Sequence, residues 1–123
     1  MSEVTIVPLV GAHYRPPAKS ILANLRGGSK LLLEAEPTNE YDPNAVKVLV
    51  ETKEIPEERH QDLDLMAGGF GISLQEILAE PKWHLGYIAR DHAERLQPML
   101  EQVESAELGF GSDDKPFVRV ILK

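Results

Sequence analysis

Residues 30–51, KLLLEAEPTNEYDPNAVKVLVE, set two β-prone runs on either side of a polar segment, and this arrangement restricts the fold more than any other feature of the chain. In AVKVLVE, Val46, Val48 and Val50 fall on one face and Lys47, Leu49 and Glu51 on the other, the period of a strand. KLLLEAE reads the same way, so the two runs predict a β-hairpin with a long loop. Pro37 and Pro43 fix φ and bias the residues before them to extended backbone, while Asn39, Asp42 and Asn44 can bond neighbouring backbone groups. Such a loop is expected to hold one shape. The question it raises is whether that shape only turns the chain or also presents Tyr41 and Asp42 to a ligand.

The flanking sequence supplies more strands. VTIVPLVG is rich in β-branched residues, and its Pro8 suggests an edge or a bulge. AKSILANLRGG predicts a short helix from about Lys19 to Arg26 with a Gly stop. Residues 52–82 are acidic, then Gly-rich, then helical around Ser73 to Ala79, where Ser73 and Glu76 make a capping-box pattern. They are expected to form an insertion on the domain. WHLGYIA resumes β character, and RDHAERLQPMLEQ predicts a helix with Asp91 and Glu94 as start signals, which Pro98 should kink or follow with a second short turn. VESAELGF and KPFVRVILK end the chain as two strands joined by GSDD. About six strands and two or three short helices predict a mainly β (α+β) fold: a small antiparallel barrel with helical caps, one domain over residues 1–123.

Charge and composition exclude several functions. The absence of Cys removes disulfides, thiolate nucleophiles and Cys-based zinc sites, and fits a reducing compartment. With no basic, apolar leader and no long apolar run, the expected address is cytoplasmic, away from membranes. The net charge of −7 argues against indiscriminate binding of nucleic acid. Most of it lies in residues 51–82, which hold three Lys/Arg against eight Asp/Glu.

Candidate chemistry is sparse. The four His, at 13, 60, 84 and 92, include no pair at i, i+4, and His60, Asp62 and Asp64 in HQDLD read as a charged surface loop before they read as metal ligands. Asp42 followed by Glu51 and Lys53 matches the D…ExK pattern of a nuclease superfamily, but the helix-flanked sheet that pattern needs is missing. GGFG lacks the Lys-Ser/Thr of a phosphate-binding loop and reads, with GFGSDD, as a connector. No catalytic residue, metal site or cofactor is expected. What remains is distributed: His13, Tyr14 and Arg15 after the first strand, Tyr41 and Asp42 in the stiff loop, Tyr87 and Arg90 at a strand-to-helix junction. Each Tyr stands beside a polar or charged residue, the pairing that single-strand binders use for a base and a phosphate. Tyr residues that cap a β core with a wet hydroxyl look the same, and the residues alone leave both readings open.

Three stretches, VGAHY, LLLEAEPTNEYDPNAVKV and LGYIARDHAERLQPML, resemble the HIRAN domain family, whose pattern runs from a V-G opening through L-x-x-E-P-x-N-x-Y-D-P-N-A-[IV]-x-V to G-[YH]-[IL]-x-[RK] and a helix. The central block is nearly a full match. The resemblance spans about Val4 to Leu122 except the acidic insertion, which lengthens a connection that is short in typical members. It implies a small OB/SH3-like barrel that captures the 3′-hydroxyl end of single-stranded DNA, as a module fused to helicases or standing alone in bacteria and phages. By that resemblance Tyr14 and Tyr41 stack bases, Asp42 accepts the terminal 3′-hydroxyl, and Tyr87 and Arg90 lie near the end phosphate, where the family's DNA-end binder has His and Lys. His13 stands where that domain has Arg, which weakens phosphate affinity at neutral pH. The implied function is DNA-end recognition in repair, without catalysis, lent to a helicase or nuclease partner. The alternatives are a protein-interaction adaptor working through the acidic insertion and, further off, a metal-dependent nuclease.

Overall fold

In the computed structural model, which describes residues 3–123, six antiparallel strands close into a barrel in the order β1-β4-β3-β2-β5-β6. The strands are β1 (Glu3–Val10), β2 (Lys30–Ala35), β3 (Val46–Glu51), β4 (Lys82–Ile88), β5 (Val103–Phe110) and β6 (Pro116–Leu122). Four short α-helices accompany them among the described residues: α1 (Pro16–Ala23), α2 (His60–Gly68), α3 (Leu74–Ala79) and α4 (Arg90–Leu96).

The expected hairpin is β2 and β3, paired from Leu31 opposite Val50 to Ala35 opposite Val46. Val46, Val48 and Val50 point inward and are fully buried, joined in the core by Val7, Leu31, Leu85, Leu108, Val118 and Val120 from the other strands. Closure leaves no edge for Pro8. It sits instead where β1 changes partner, opposite Phe117 of β6, with Leu9 already opposite Ile88 of β4. A bulge lies elsewhere, in β4: Val48 faces Gly86 and Leu49 faces His84, so Leu85 has no opposite residue. At Gly86 a methyl group would collide with the Val10 carbonyl oxygen, so β1 and β4 approach this closely only because the residue is Gly.

Two further expectations are corrected. The first helix starts at Pro16, not Lys19, because Pro16 and Pro17 occupy its first turn, where a missing N–H costs nothing and φ is already helical. HQDLD is no loop. It opens α2, whose Leu63 and Ala67 are fully buried, and Gly68 to Ile72 close that helix with amides of Phe70 and Ile72 donating to the Ala67 carbonyl. Residues 52–82 also reach the barrel core, since Ile55, Leu63, Ala67 and Ile77 all belong to the core cluster. The ends of this segment are clasped: the Thr52 amide donates to the Pro81 carbonyl and the Thr52 hydroxyl to that of Glu80. The Ser73–Glu76 capping box forms as expected. So does the second turn after α4, a 3-10 segment Gln97–Gln102 with Pro98 in its first positions.

Candidate nucleic-acid interface

The β2–β3 loop owes its shape to two side chains. Asn39 Oδ1 accepts the amides of Tyr41 (2.9 Å) and Asp42 (3.0 Å), and Asp42 Oδ1 accepts the amide of Asn44 (2.9 Å). These are the local Asn and Asp bonds that turn sequences are built on. Glu36 holds Asn39 in turn, its Oε1 accepting Asn39 Nδ2 at 2.7 Å and the Tyr87 hydroxyl at 2.9 Å, while Lys47 Nζ stands 3.8 Å from Oε2. From the far side Gln97 Nε2 donates to the carbonyls of Pro43 and Ala45. The loop is thus fixed to β3, to β4 and to the turn after α4.

Held this way, Tyr41 projects a ring that is 85% exposed. Tyr41, Asp42, Tyr87 and Arg90 line one hollow of about 270 Å³ over an apolar floor of Val10 and Ile88. Asp42 spends Oδ1 on Asn44, so its second carboxylate oxygen is the acceptor left for a ligand. Tyr87 gives its hydroxyl to Glu36 and so offers the hollow a ring rather than a donor. Arg90 begins α4 and is exposed.

The other two predicted residues lie beside this hollow. His13 and Tyr14 form a 3-10 turn after β1, their ring centroids 4.0 Å apart, and Tyr14 is 80% exposed. His13 lines a second hollow with Lys19, Phe110 and Lys115, which shares Val10 with the first. Tyr14 lines a third with Arg15, Trp83 and His84. The sequence thus brings four of its six candidates to one hollow and two to its neighbours.

Electrostatics follow from the packing. Glu36 is held below the ordinary carboxylate range chiefly by the Asn39 amide, against the opposing effect of burial and with help from the Tyr87 hydroxyl and Lys47. Burial pushes the Tyr87 phenol up, and Glu36 adds to that shift. Burial and the Arg15 guanidinium push His84 down. His84 Nε2–H donates to the Gly86 carbonyl at 2.8 Å, which leaves Nδ1 as an acceptor in the neutral ring.

Asp42 lies in the loop before β3 and Glu51 ends that strand, whose Val46–Glu51 span alone rises roughly 16 Å. Among the described residues no group of three His, Asp or Glu side chains is placed to hold a metal ion, and no helix is long and apolar enough to cross a membrane. Sequence reasoning missed Glu36 and Gln97. Glu36 carried a signal, being an acid at the mouth of a loop whose Asn and Tyr need partners. Gln97 carried none.

The model of the HIRAN domain family matches residues 2–108. Two solved structures share the fold. A protein from Lactobacillus plantarum has a TM-score of 0.56 and 20% identity, over 98% of this chain and 95% of its own. The HIRAN domain of human HLTF has a TM-score of 0.55 and 15% identity, over 99% of this chain and 80% of its own. No curated protein matches the sequence.

Proposed function

Because the chain belongs to the HIRAN domain family, a family of DNA-binding modules, we propose that it captures the 3′-hydroxyl end of single-stranded DNA and performs no chemistry on it. The observation that carries this reading is a pair of nearly bare rings on backbone fixed by hydrogen bonds, Tyr41 lining a hollow with one free carboxylate oxygen and one exposed Arg, and Tyr14 lining the hollow beside it. Exposed aromatics on rigid backbone present a flat face at little entropic cost, and stacking on such faces contributes about 1–3 kcal/mol per base. Asp42 then accepts the terminal 3′-hydroxyl, Arg90 meets the adjoining phosphate, and Tyr87 forms the wall between them. A carboxylate acceptor repels a 3′-phosphate, so the same contact that binds the end also selects it. His13 supplies less positive charge than an Arg would, and the proposed site depends more on stacking than on phosphate contacts. Recognition without catalysis serves a partner enzyme, a helicase or a nuclease, in cytoplasmic DNA repair.

The test is a titration of short oligonucleotides that differ only at the 3′ terminus. The free hydroxyl should bind more tightly than the phosphate, and Asp42→Ala should abolish the difference at a cost of about 1–3 kcal/mol, as for loss of a charged hydrogen bond. Equal affinity for both ends in the wild-type protein would remove the assignment. Incubation with Mg²⁺ or Mn²⁺ should leave the oligonucleotides uncut, and cutting that is lost in Glu51→Ala would make the protein a nuclease.

A further inference from the structure

We propose that the strand leaves the end hollow across the Arg15–Tyr87 stack and lays its next nucleotide in the hollow between Tyr14, the Pro16–Pro17 start of α1 and the Trp83–His84 stretch of β4. This rests on end capture and adds to it the course of the strand and three further binding residues, Arg15, Trp83 and His84. The two hollows adjoin through one ring. Tyr87 lines the first, and both Arg15 and His84, which line the other, touch it: the Arg15 guanidinium lies 5.7 Å from the Tyr87 ring centroid and the His84 ring stands edge-on at 4.8 Å.

The second hollow, about 420 Å³, has room for a base, and its walls are rigid. Trp83 is half-buried with its indole fixed by an Nε1–H bond to the Ile77 carbonyl at 2.8 Å. Pro16 and Pro17 cannot swing, and His84 is tied by Gly86. The bare Tyr14 ring lines the same hollow and adds an aromatic face for a base. A chain passing from one hollow to the other must carry its phosphate past Arg15, whose guanidinium has a π face beneath it. Arg15 thereby offsets the weaker charge of His13. The hollow on the other side, lined by His13, Lys19 and Lys115, also holds the Asp114 carboxylate, which repels a phosphate, so it is the poorer exit.

The experiment compares thymidine and thymidine dinucleotide, each with a free 3′-hydroxyl, on the full chain and on Trp83→Leu, Arg15→Gln and the double variant Lys19→Gln/Lys115→Gln. The readout is the ratio of the two affinities within each protein, so any general loss of fold or end capture divides out. In the wild type the longer strand should bind about fivefold or more tightly, the gain of one added stacked base. That ratio should fall toward one in Trp83→Leu and in Arg15→Gln and stay unchanged in the Lys variant. Arg15 is exposed, so its variant decides the matter alone if Trp83→Leu does not fold. An unchanged ratio in Arg15→Gln, or a fall confined to the Lys variant, overturns the proposed course while the preference for 3′-hydroxyl over 3′-phosphate stands. Failure of the wild type to bind the dinucleotide overturns end capture itself.

Discussion

Glu36 joins the loop to the rest of the site, since one carboxylate serves Asn39, Tyr87 and Lys47 at once. Its folded value lies below 4.5, chiefly because the Asn39 amide binds the charged form. The unfolded chain therefore takes up the proton first as pH falls, and the stability Glu36 contributes is full above 4.5 and lost as pH drops through the depressed folded value. Glu36→Gln should reduce stability at pH 7 and flatten its fall below pH 4.5, measured as the difference between variant and wild type in urea unfolding at several pH values. Parallel curves would mean that the carboxylate is not what fixes the loop. Much of this was legible in the residues. Asn39 and Asp42 bond the backbone as their spacing in NEYDPN implies, because such bonds are local and need no tertiary information. The bond from the Tyr87 hydroxyl to Glu36 and the reach of Gln97 to the Pro43 carbonyl join residues more than fifty positions apart, which no local pattern encodes.

At the scale of elements, legibility tracks period. Val46, Val48 and Val50 announce β3 because a strand with one wet face must alternate, and the Ser73–Glu76 box announces α3 because a capped start has a fixed spacing. Helix α2 escaped because it buries only Leu63 and Ala67 along one narrow face, while its outward side carries Gln61, Asp62, Asp64 and an exposed Leu65 that blurs the amphipathic signal. Its acidity looked like a solvated loop, yet it is a helix whose few apolar residues reach the core. The consequence is energetic. Leu63→Ala and Ile77→Ala should each cost about 2–5 kcal/mol in chemical denaturation, the range for truncating fully buried aliphatic side chains. Replacing residues 53–82 with a short Gly-Ser linker should leave a chain that no longer folds cooperatively, even though the Thr52–Pro81 clasp brings the ends of the segment close enough to bridge. Losses below about 1 kcal/mol for both point variants would show that α2 and α3 merely rest on the barrel.

For the whole molecule the question is how a chain of net charge −7 holds a polyanion. Residues 51–82, with three basic and eight acidic side chains, are the main obstacle, and they are not remote: α3 receives the Trp83 indole bond, and Trp83 precedes Tyr87 by four residues of β4, about 13 Å along the strand. That distance is close to the screening length of about 10 Å at 0.1 M salt, so the acidic helices repel the departing strand at low ionic strength and fade as salt rises. Phosphate contacts pull the opposite way, but one or two of them give a slope of only about −0.7 to −1.4 in log affinity against log salt for a single strand. Wild-type binding should therefore weaken little with salt. Asp62→Asn with Glu80→Gln, two exposed positions outside the core, should bind a 3′-hydroxyl tetranucleotide more tightly at about 20 mM salt, with the advantage gone by about 0.5 M, where the screening length is only a few ångströms. Oligonucleotide titrations across that range decide it. A wild-type slope several times steeper would require a broad basic surface that this charge distribution does not provide. A gain that persists at high salt would mean the two carboxylates act by contact with the strand and not through their field.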